Sequence, residues 1–349
     1  MEAIDLIEIL TKTNGVSGDE TSVSETIAEL CAPFAEVPVE IDNFNNVICT
    51  LHAPKEGEPH LLLEAHLDEI GFMVSSITEA GMLQVVPCGG IDCRLQAATP
   101  VLVWGRPKSP IPGVVGYLPP TLDGDSRSMP KADEMVIDIG YYSKEKSKTL
   151  VTCGDRITAD IPTMQLRNNR VTGKALDNRS GCAAVLLAGE MLAACRDRLR
   201  CGVTLLFGSM EEVGSFGTQA AVFRTAPTHA IVVDVSFSAT HDMPIQKYPG
   251  KLGGGPMIGY APVLPKDLSR HLETLARKNG IPCQTEVMGG RTGTDADVIA
   301  ATRAGIKTGL LSIPQRYMHT PVEVIDTQDV RQTALLMLFY GYDLGGGAV

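Results

Sequence analysis

Apolar residues near the start of the chain recur at helical spacing. Ile4 and Ile7, with Leu6, Ile9 and Leu10, predict an amphipathic helix. A turn carrying Asn14, Gly15 and Gly18 follows, then a second helix and strands. A short apolar run at 61–63 leads straight into His66. From about 70 to 162 the texture changes, and Gly and Pro punctuate short β-prone runs. FMVSSI, MLQVVP, VLVWG, GVVGYL, MVIDIGYY and DRITAD read as strands of a small all-β unit, with a helical turn expected only around 143–148. After about 163 an α/β rhythm returns. Residues 179–195 predict a helix with Ala183, Leu186, Leu187, Glu190 and Met191 on its buried face. VTLLFGSM, AIVVDVSF and IKTGLLSI read as strands, and 216–223, 268–279, 297–304 and 327–340 as helices. Gly280 is a stop signal after the second of those four. Runs such as AIVVDV lack period-2 alternation, which predicts strands covered on both faces. The simplest architecture is an α/β domain built from 1–68 and 163–349, interrupted by a mostly β, PDZ-like or barrel-like insert at 69–162.

Composition narrows the function classes. The chain has 349 residues, 44% hydrophobic and 20% charged, ordinary for a globular protein of about two domains. A formal net charge of -11 argues against nucleic-acid partners, which favour a basic face. No run approaches the ~18 apolar residues that span a bilayer, so no membrane partner is expected. The first 20 residues lack the basic and apolar regions of a signal peptide. Nine dispersed cysteines without a CxxC pair suit thiols kept reduced in a cytoplasm.

Five metal-ligating side chains stand out: His66 in LLLEAHLDEIG, Asp177 in KALDNRSG, Glu212 in LLFGSMEEVGSFGT, Asp234 in AIVVDVSF and His319 in SIPQRYMHTP. His66, Glu211, Glu212 and Asp234 follow apolar runs, at the strand ends where open α/β sheets bind ligands. Asp177 instead opens a helix. Any one alone reads as a cap, a turn or a surface residue; their repetition at one sheet edge is what carries weight, since clustered carboxylates are costly. Two imidazoles and three carboxylates suffice for two divalent ions if one carboxylate bridges them. Ligands without thiolate suit zinc, cobalt or manganese, whereas calcium would want more oxygens. Two such ions can activate a water and polarise a carbonyl. Glu211, not needed as a ligand, is the natural proton shuttle, provided the backbone beside Gly214 and Gly217 is irregular. Asp68, two residues past His66, projects from the same side of an extended segment and could hold the imidazole tautomer. His52, His60, His229, His241 and His271 read as surface residues, with His241 closest to a substrate-approaching loop.

The chain resembles the M42 family of metallo-aminopeptidases, the tetrahedral aminopeptidases that include bacterial glutamyl aminopeptidases. Matching segments run nearly end to end: NGVSGDE, DNFNNVI, LLLEAHLDEIGFMV, GGIDCR, IPGVVG, DIGYYSKEK, KALDNRSG, MEEVGSFGTQAA, AIVVDVSF, LGGGPMI, GIPCQTEV, GTDAD and SIPQRYMHTPVEVID. The resemblance puts His66, Asp177 and Asp234 on one metal and Asp177, Glu212 and His319 on the other. It makes Glu211 the general acid/base, gives Asp68 the orienting of His66, and implies a cis Asp177–Asn178 peptide. It also implies that the insert mediates dimerisation and that dimers assemble into twelve-subunit tetrahedra. Two positions depart from the pattern: Thr121 stands where a His would follow the paired prolines, and Arg291 precedes GTDAD. Arg291 could favour acidic substrates by pairing with a carboxylate, or simply lie at the surface.

The expected function is therefore a two-metal aminopeptidase acting on peptides, with a water between the metals as nucleophile. The alternatives are a related amidohydrolase acting on small N-acylated substrates and a catalytically silent assembly subunit. The second is disfavoured because every expected ligand is present.

Overall fold

A computed structural model describes residues 1–116, 134–240, 250–344 and 346. The chain opens with α1 (Ala3–Thr11), α2 (Thr21–Cys31), β1 (Glu40–Ile41), β2 (Val47–His52) and β3 (His60–His66). Six strands follow: β4 (Gly71–Ile77), β5 (Leu83–Cys88), β6 (Pro100–Trp104), β7 (Ile111–Val115), β8 (Val136–Asp138) and, after the turn α3 (Lys144–Ser147), β9 (Arg156–Ala159). Next come β10 (Met164–Gln165), β11 (Arg170–Gly173), α4 (Leu176–Ala194), β12 (Gly202–Gly208), α5 (Phe216–Thr225) and β13 (His229–Phe237). The last part carries β14 (Met257–Tyr260), α6 (Lys266–Lys278), β15 (Gln284–Val287), α7 (Ala296–Ala301), β16 (Lys307–Gln315), β17 (Glu323–Asp326) and α8 (Thr327–Leu344).

β3 and β12 are buried at every one of their seven positions, because helices cover both faces of the sheet they share. That sheet has eight strands in the order β1-β2-β12-β3-β13-β16-β14-β15, with β12, β3, β13 and β16 parallel. Leu61, Leu63 and Ala65 point into a core shared with α1, α4 and α8. Leu62 points the other way, into a core with Ala221, Val222, Ala296 and Ile299 of α5 and α7. Each fully buried leucine of this run contributes ~2 kcal/mol. α1 buries Ala3, Leu6, Ile7 and Leu10, and a Glu2–Asp5 capping box starts it. Ile9, expected on that face, is 37% exposed, since it falls one residue off the stripe.

The six strands β4 to β9 close into a barrel of order β4-β5-β8-β7-β6-β9, leaving no open edge. Its own core includes Phe72, Val74, Val85, Val101, Val103, Ile137 and Ile157, separate from the two α/β clusters. The fold class is thus a mixed α/β layer structure plus a β barrel. A small third sheet, β10-β11-β17, bridges the segments before α4 and α8.

α4 is kinked at Asp177 and Asn178, whose dihedrals are not helical, so its regular part begins at Arg179 as the pattern predicts, and its burial is nearly all round. Cys182, Ala183, Ala184, Val185, Leu186, Ala188, Gly189 and Leu192 are buried, whereas Leu187 and Met191 are half-buried and Glu190 is exposed. The small residues let the sheet, α1 and α8 approach from several sides. Gly280 has φ +65 just past α6, as its stop role requires. No cysteine forms a disulfide, and five of the nine are buried.

Candidate metal centre and active site

The parallel register explains how residues far apart in the chain reach one level. Gly208 of β12 stands beside His66, and Val232 of β13 beside Glu64. Two residues further on, Asp234 is therefore level with His66. Asp234 is not at a strand end, as its apolar run suggests. It lies within the nine-residue β13, which continues past β3 because β16 still pairs with it at Ser312. Glu211 and Glu212 follow β12 in a turn where Met210, Gly214 and Ser215 all have positive φ. Gly217 has a different role from the one expected. It lies inside α5, where a Cβ would come within 2.0 Å of Ser209 Oγ, so close packing demands it. Asp177 sits in the first turn of α4 with non-helical dihedrals, and its peptide bond to Asn178 is cis. His319 lies in the connection between β16 and β17 at φ +61.

These segments bring the five candidate ligands together in two groups that share Asp177. His66 Nε2 lies 3.2 Å from Asp177 Oδ1 and 3.7 Å from Asp234 Oδ1. His319 Nε2 lies 3.3 Å from Asp177 Oδ2 and 3.4 Å from Glu212 Oε2. Within each group the donor atoms lie within 4.8 Å of one another. Burial pushes Glu212 well above the usual carboxylate range and Asp234 up to about 6. Burial would also raise Asp177, but the imidazoles of His319 and His66 outweigh it and hold Asp177 below its ordinary value. Burial alone would lower His66, yet Asp177, Asp234 and Asp68 around it keep it well above its usual value. So many buried carboxylates ionise together only with cations among them. Glu212 Oε1 is moreover buried without a hydrogen-bond partner. Such an orphaned oxygen amid imidazole and carboxylate donors fits divalent metal.

Asp68 is fully buried and faces the other imidazole nitrogen, His66 Nδ1, at 3.4 Å. It also accepts from Ser17 Oγ at 2.6 Å and from the backbone N–H groups of Glu211 at 3.0 Å and Glu212 at 3.3 Å. One carboxylate thus links the His66 strand end to the Glu211–Glu212 turn. Ser17 and Glu323, whose carboxylate accepts the backbone N–H groups of Asp177 and His319, carry no motif that singles them out as site residues. Gly90 has a readable signal only in hindsight: a Cβ there would meet His319 Nδ1 at 2.9 Å.

His66, Asp177, Glu211, Glu212, Asp234 and His319 line one cavity of about 400 Å³, walled further by Phe237, Met318 and the Thr292–Thr294 turn. Burial pushes the Glu211 carboxyl up to about 9. Arg291 is not among the lining residues. Its side chain is 83% exposed and its Nε pairs with Asp297 at 3.1 Å. Thr121 and His241 lie outside the described residues. Of the remaining histidines, His60 departs from the surface expectation: it is buried, with Nε2 2.9 Å from Thr204 Oγ1.

Comparison with known proteins shows the family of the chain. The family model of the M42 glutamyl aminopeptidases matches residues 45–336. A lysyl aminopeptidase of Pyrococcus furiosus is 31% identical over 337 residues, spanning 95% of this chain and 94% of its own. An aminopeptidase structure from the archaeon Desulfurococcus kamchatkensis superposes with a TM-score of 0.91 at 32% identity, covering 98% of this chain and 94% of its own. The TET1 peptidase of Pyrococcus horikoshii, described as assembling into a tetrahedron or a large octahedral shell, gives 0.85 at 30% identity and covers 98% of this chain and 100% of its own. With a family model spanning most of its length and relatives aligned nearly end to end, this chain belongs to the M42 family of aminopeptidases.

Proposed function

We propose that the cavity at the ends of β3 and β12 hydrolyses the N-terminal peptide bond of peptides with two divalent ions and Glu211. The chain is a peptide hydrolase of the aminopeptidase class by family. The observation that carries the reading is the pair of ligand groups sharing Asp177, opening on the same cavity as Glu211. His66, Asp177 and Asp234 would hold one ion, and Asp177, Glu212 and His319 the other. Zinc or cobalt suits these donors best, with manganese also compatible. When bound, the pair supplies Lewis-acid polarisation of the scissile carbonyl and an acidified water.

The protein side chains do the rest. Glu211, placed beside a ligand without being one, would be ionised by the two neighbouring cations against the effect of its burial, and as a carboxylate it takes the proton of the attacking water and delivers it to the leaving amine. Asp68 holds the turn that presents Glu211 and keeps the metal-facing nitrogen of His66 aimed at the site. Phe237 and Met318 supply apolar wall to the same cavity.

Residues 69–162 are proposed as a dimerisation module separate from the catalytic domain of 1–68 and 163–349, supported by the barrel's own core. Assembly of dimers into a tetrahedral dodecamer is supported by the likeness to the TET1 peptidase. A cytoplasmic location is supported by nine cysteines without a disulfide. No described helix is long and apolar enough to cross a membrane.

The test is Glu211→Gln in the metal-loaded protein. Turnover of an aminoacyl anilide should fall ~10²–10⁴-fold with metal content unchanged, and N-acetylated substrates should not react with either protein. Near-normal turnover in the variant would remove Glu211 from its role, and cleavage of the acetylated substrate would redirect the reading to amidohydrolysis.

A further inference from the structure

Glu323 ligates nothing in either donor group, yet it touches both segments that carry the second one. It is 2% exposed. Its Oε2 accepts the backbone N–H of Asp177 at 3.0 Å, and its Oε1 accepts that of His319 at 3.0 Å. A single carboxylate therefore ties the shared aspartate to the histidine through their main chains.

The topology shows why that tie is needed. β17 runs antiparallel to β11, with Gly173 opposite Glu323. Asp177 stands four residues beyond this pair along one strand, and His319 four residues before it along the other. They would face each other if the ladder continued, but it ends at Gly173. Ala175 turns away at φ +57 into α4, while Tyr317 and His319 sit at φ +60 and +61. The two side chains must still come within 3.3 Å, between His319 Nε2 and Asp177 Oδ2. Where the strand hydrogen bonds stop, the two acceptor oxygens of Glu323 take over their function. Burial and the nearby Asp177 charge push the Glu323 carboxyl up, and its amide donors, with the ammonium of buried Lys174, act in the opposite direction. Lys174 is itself fixed by Glu69, at 2.9 and 2.7 Å.

We propose that Glu323 is a positioning residue that sets the affinity of the ion held by Asp177, Glu212 and His319, by fixing the spacing of the Asp177 and His319 backbones. This rests on the two-metal reading. Glutamine at 323 keeps the shape but turns one acceptor into a donor confronting an N–H. Aspartate, one methylene shorter, cannot reach both amides.

The experiment titrates zinc alone, and cobalt alone with its visible absorption, into metal-stripped wild type, Glu323→Gln and Glu323→Asp, followed by calorimetry. Wild type is expected to bind two ions per subunit. Each variant should bind one ion with affinity within about 3-fold of wild type and the other roughly 10–100-fold more weakly, the size typical of partners that orient ligands. The metal-free Gln variant should still fold cooperatively, with a melting temperature lowered by several degrees for its one unsatisfied buried N–H. Two ions bound with unchanged affinities would overturn the proposal. So would equal weakening of both ions, or a Gln variant that does not fold, since each assigns the residue to the fold. Wild type binding fewer than two ions would overturn the two-metal reading and this inference with it.

Discussion

Asp68→Asn tests most directly how the site is held together. Asp68 has two oxygens for four neighbours. Oδ1 lies 3.0 Å from Glu211 N and 3.4 Å from His66 Nδ1, and Oδ2 lies 2.6 Å from Ser17 Oγ and 3.3 Å from Glu212 N. Asparagine offers one oxygen and an NH₂ group. Its better orientation keeps the oxygen toward Glu211 and His66 and turns the NH₂ toward Ser17, whose hydroxyl can rotate to accept. The Glu212 N–H is then left facing a donor in a buried place, at ~1–3 kcal/mol. His66 also exchanges a carboxylate for a neutral amide, losing a charge-assisted contact of ~1 kcal/mol or more. The variant should therefore be ~2–4 kcal/mol less stable, a large part of a domain's usual ~5–15 kcal/mol. Turnover should fall ~10–100-fold through weaker metal binding. Ser17→Ala is the informative control, because it removes one bond to Oδ2 and leaves the His66 side intact. It should lower stability while turnover stays within a few-fold. Urea unfolding of metal-free protein measures the first quantity, and anilide hydrolysis at fixed free metal the second. An Asn variant with stability within about 0.5 kcal/mol of wild type and unchanged turnover would refute the reasoning.

Two further outcomes follow from residues away from the metal ligands. His60 is held neutral by burial, which lowers its pKa from 6.5 to about 4. The unfolded state then binds the extra proton between those values, so this contribution is complete above pH 6.5 and is lost as pH falls to about 4, by at most ~3 kcal/mol. The difference in unfolding free energy between wild type and His60→Gln should shrink over that window on acidification; a difference that grows would contradict the burial argument. Arg291→Ala should leave the ratio of kcat/KM for acidic over neutral N-terminal residues within ~5-fold, because its exposed pairing with Asp297 lies outside the cavity wall. A loss of acidic preference well beyond that would place Arg291 at the substrate.

Much of the architecture was legible because local signals agreed with one another. The unbroken apolar runs of β3, β12 and β13 marked a sheet covered on both sides, and the Gly- and Pro-punctuated stretch marked the barrel. The departures are instructive. Ile9 and the face of α4 were misplaced because periodicity does not say how many neighbours a helix has. Asp234 looked terminal because an apolar run hides where a neighbouring strand stops. His60 looked superficial because its partner, Thr204, comes from a strand that is 144 residues away in sequence.

The sequence by itself determined the kinds of side chain available, the order of the elements and, through segments matched end to end, the family. These depend on residue identity and short-range spacing, which the chain carries directly. Only the tertiary structure decided that the carboxylate of Asp68 also holds the Glu211–Glu212 turn, and that Glu323 spans Asp177 and His319. Those relations arise from strand register and from where ladders end. Such quantities belong to pairs of distant segments, so no single stretch of sequence contains them.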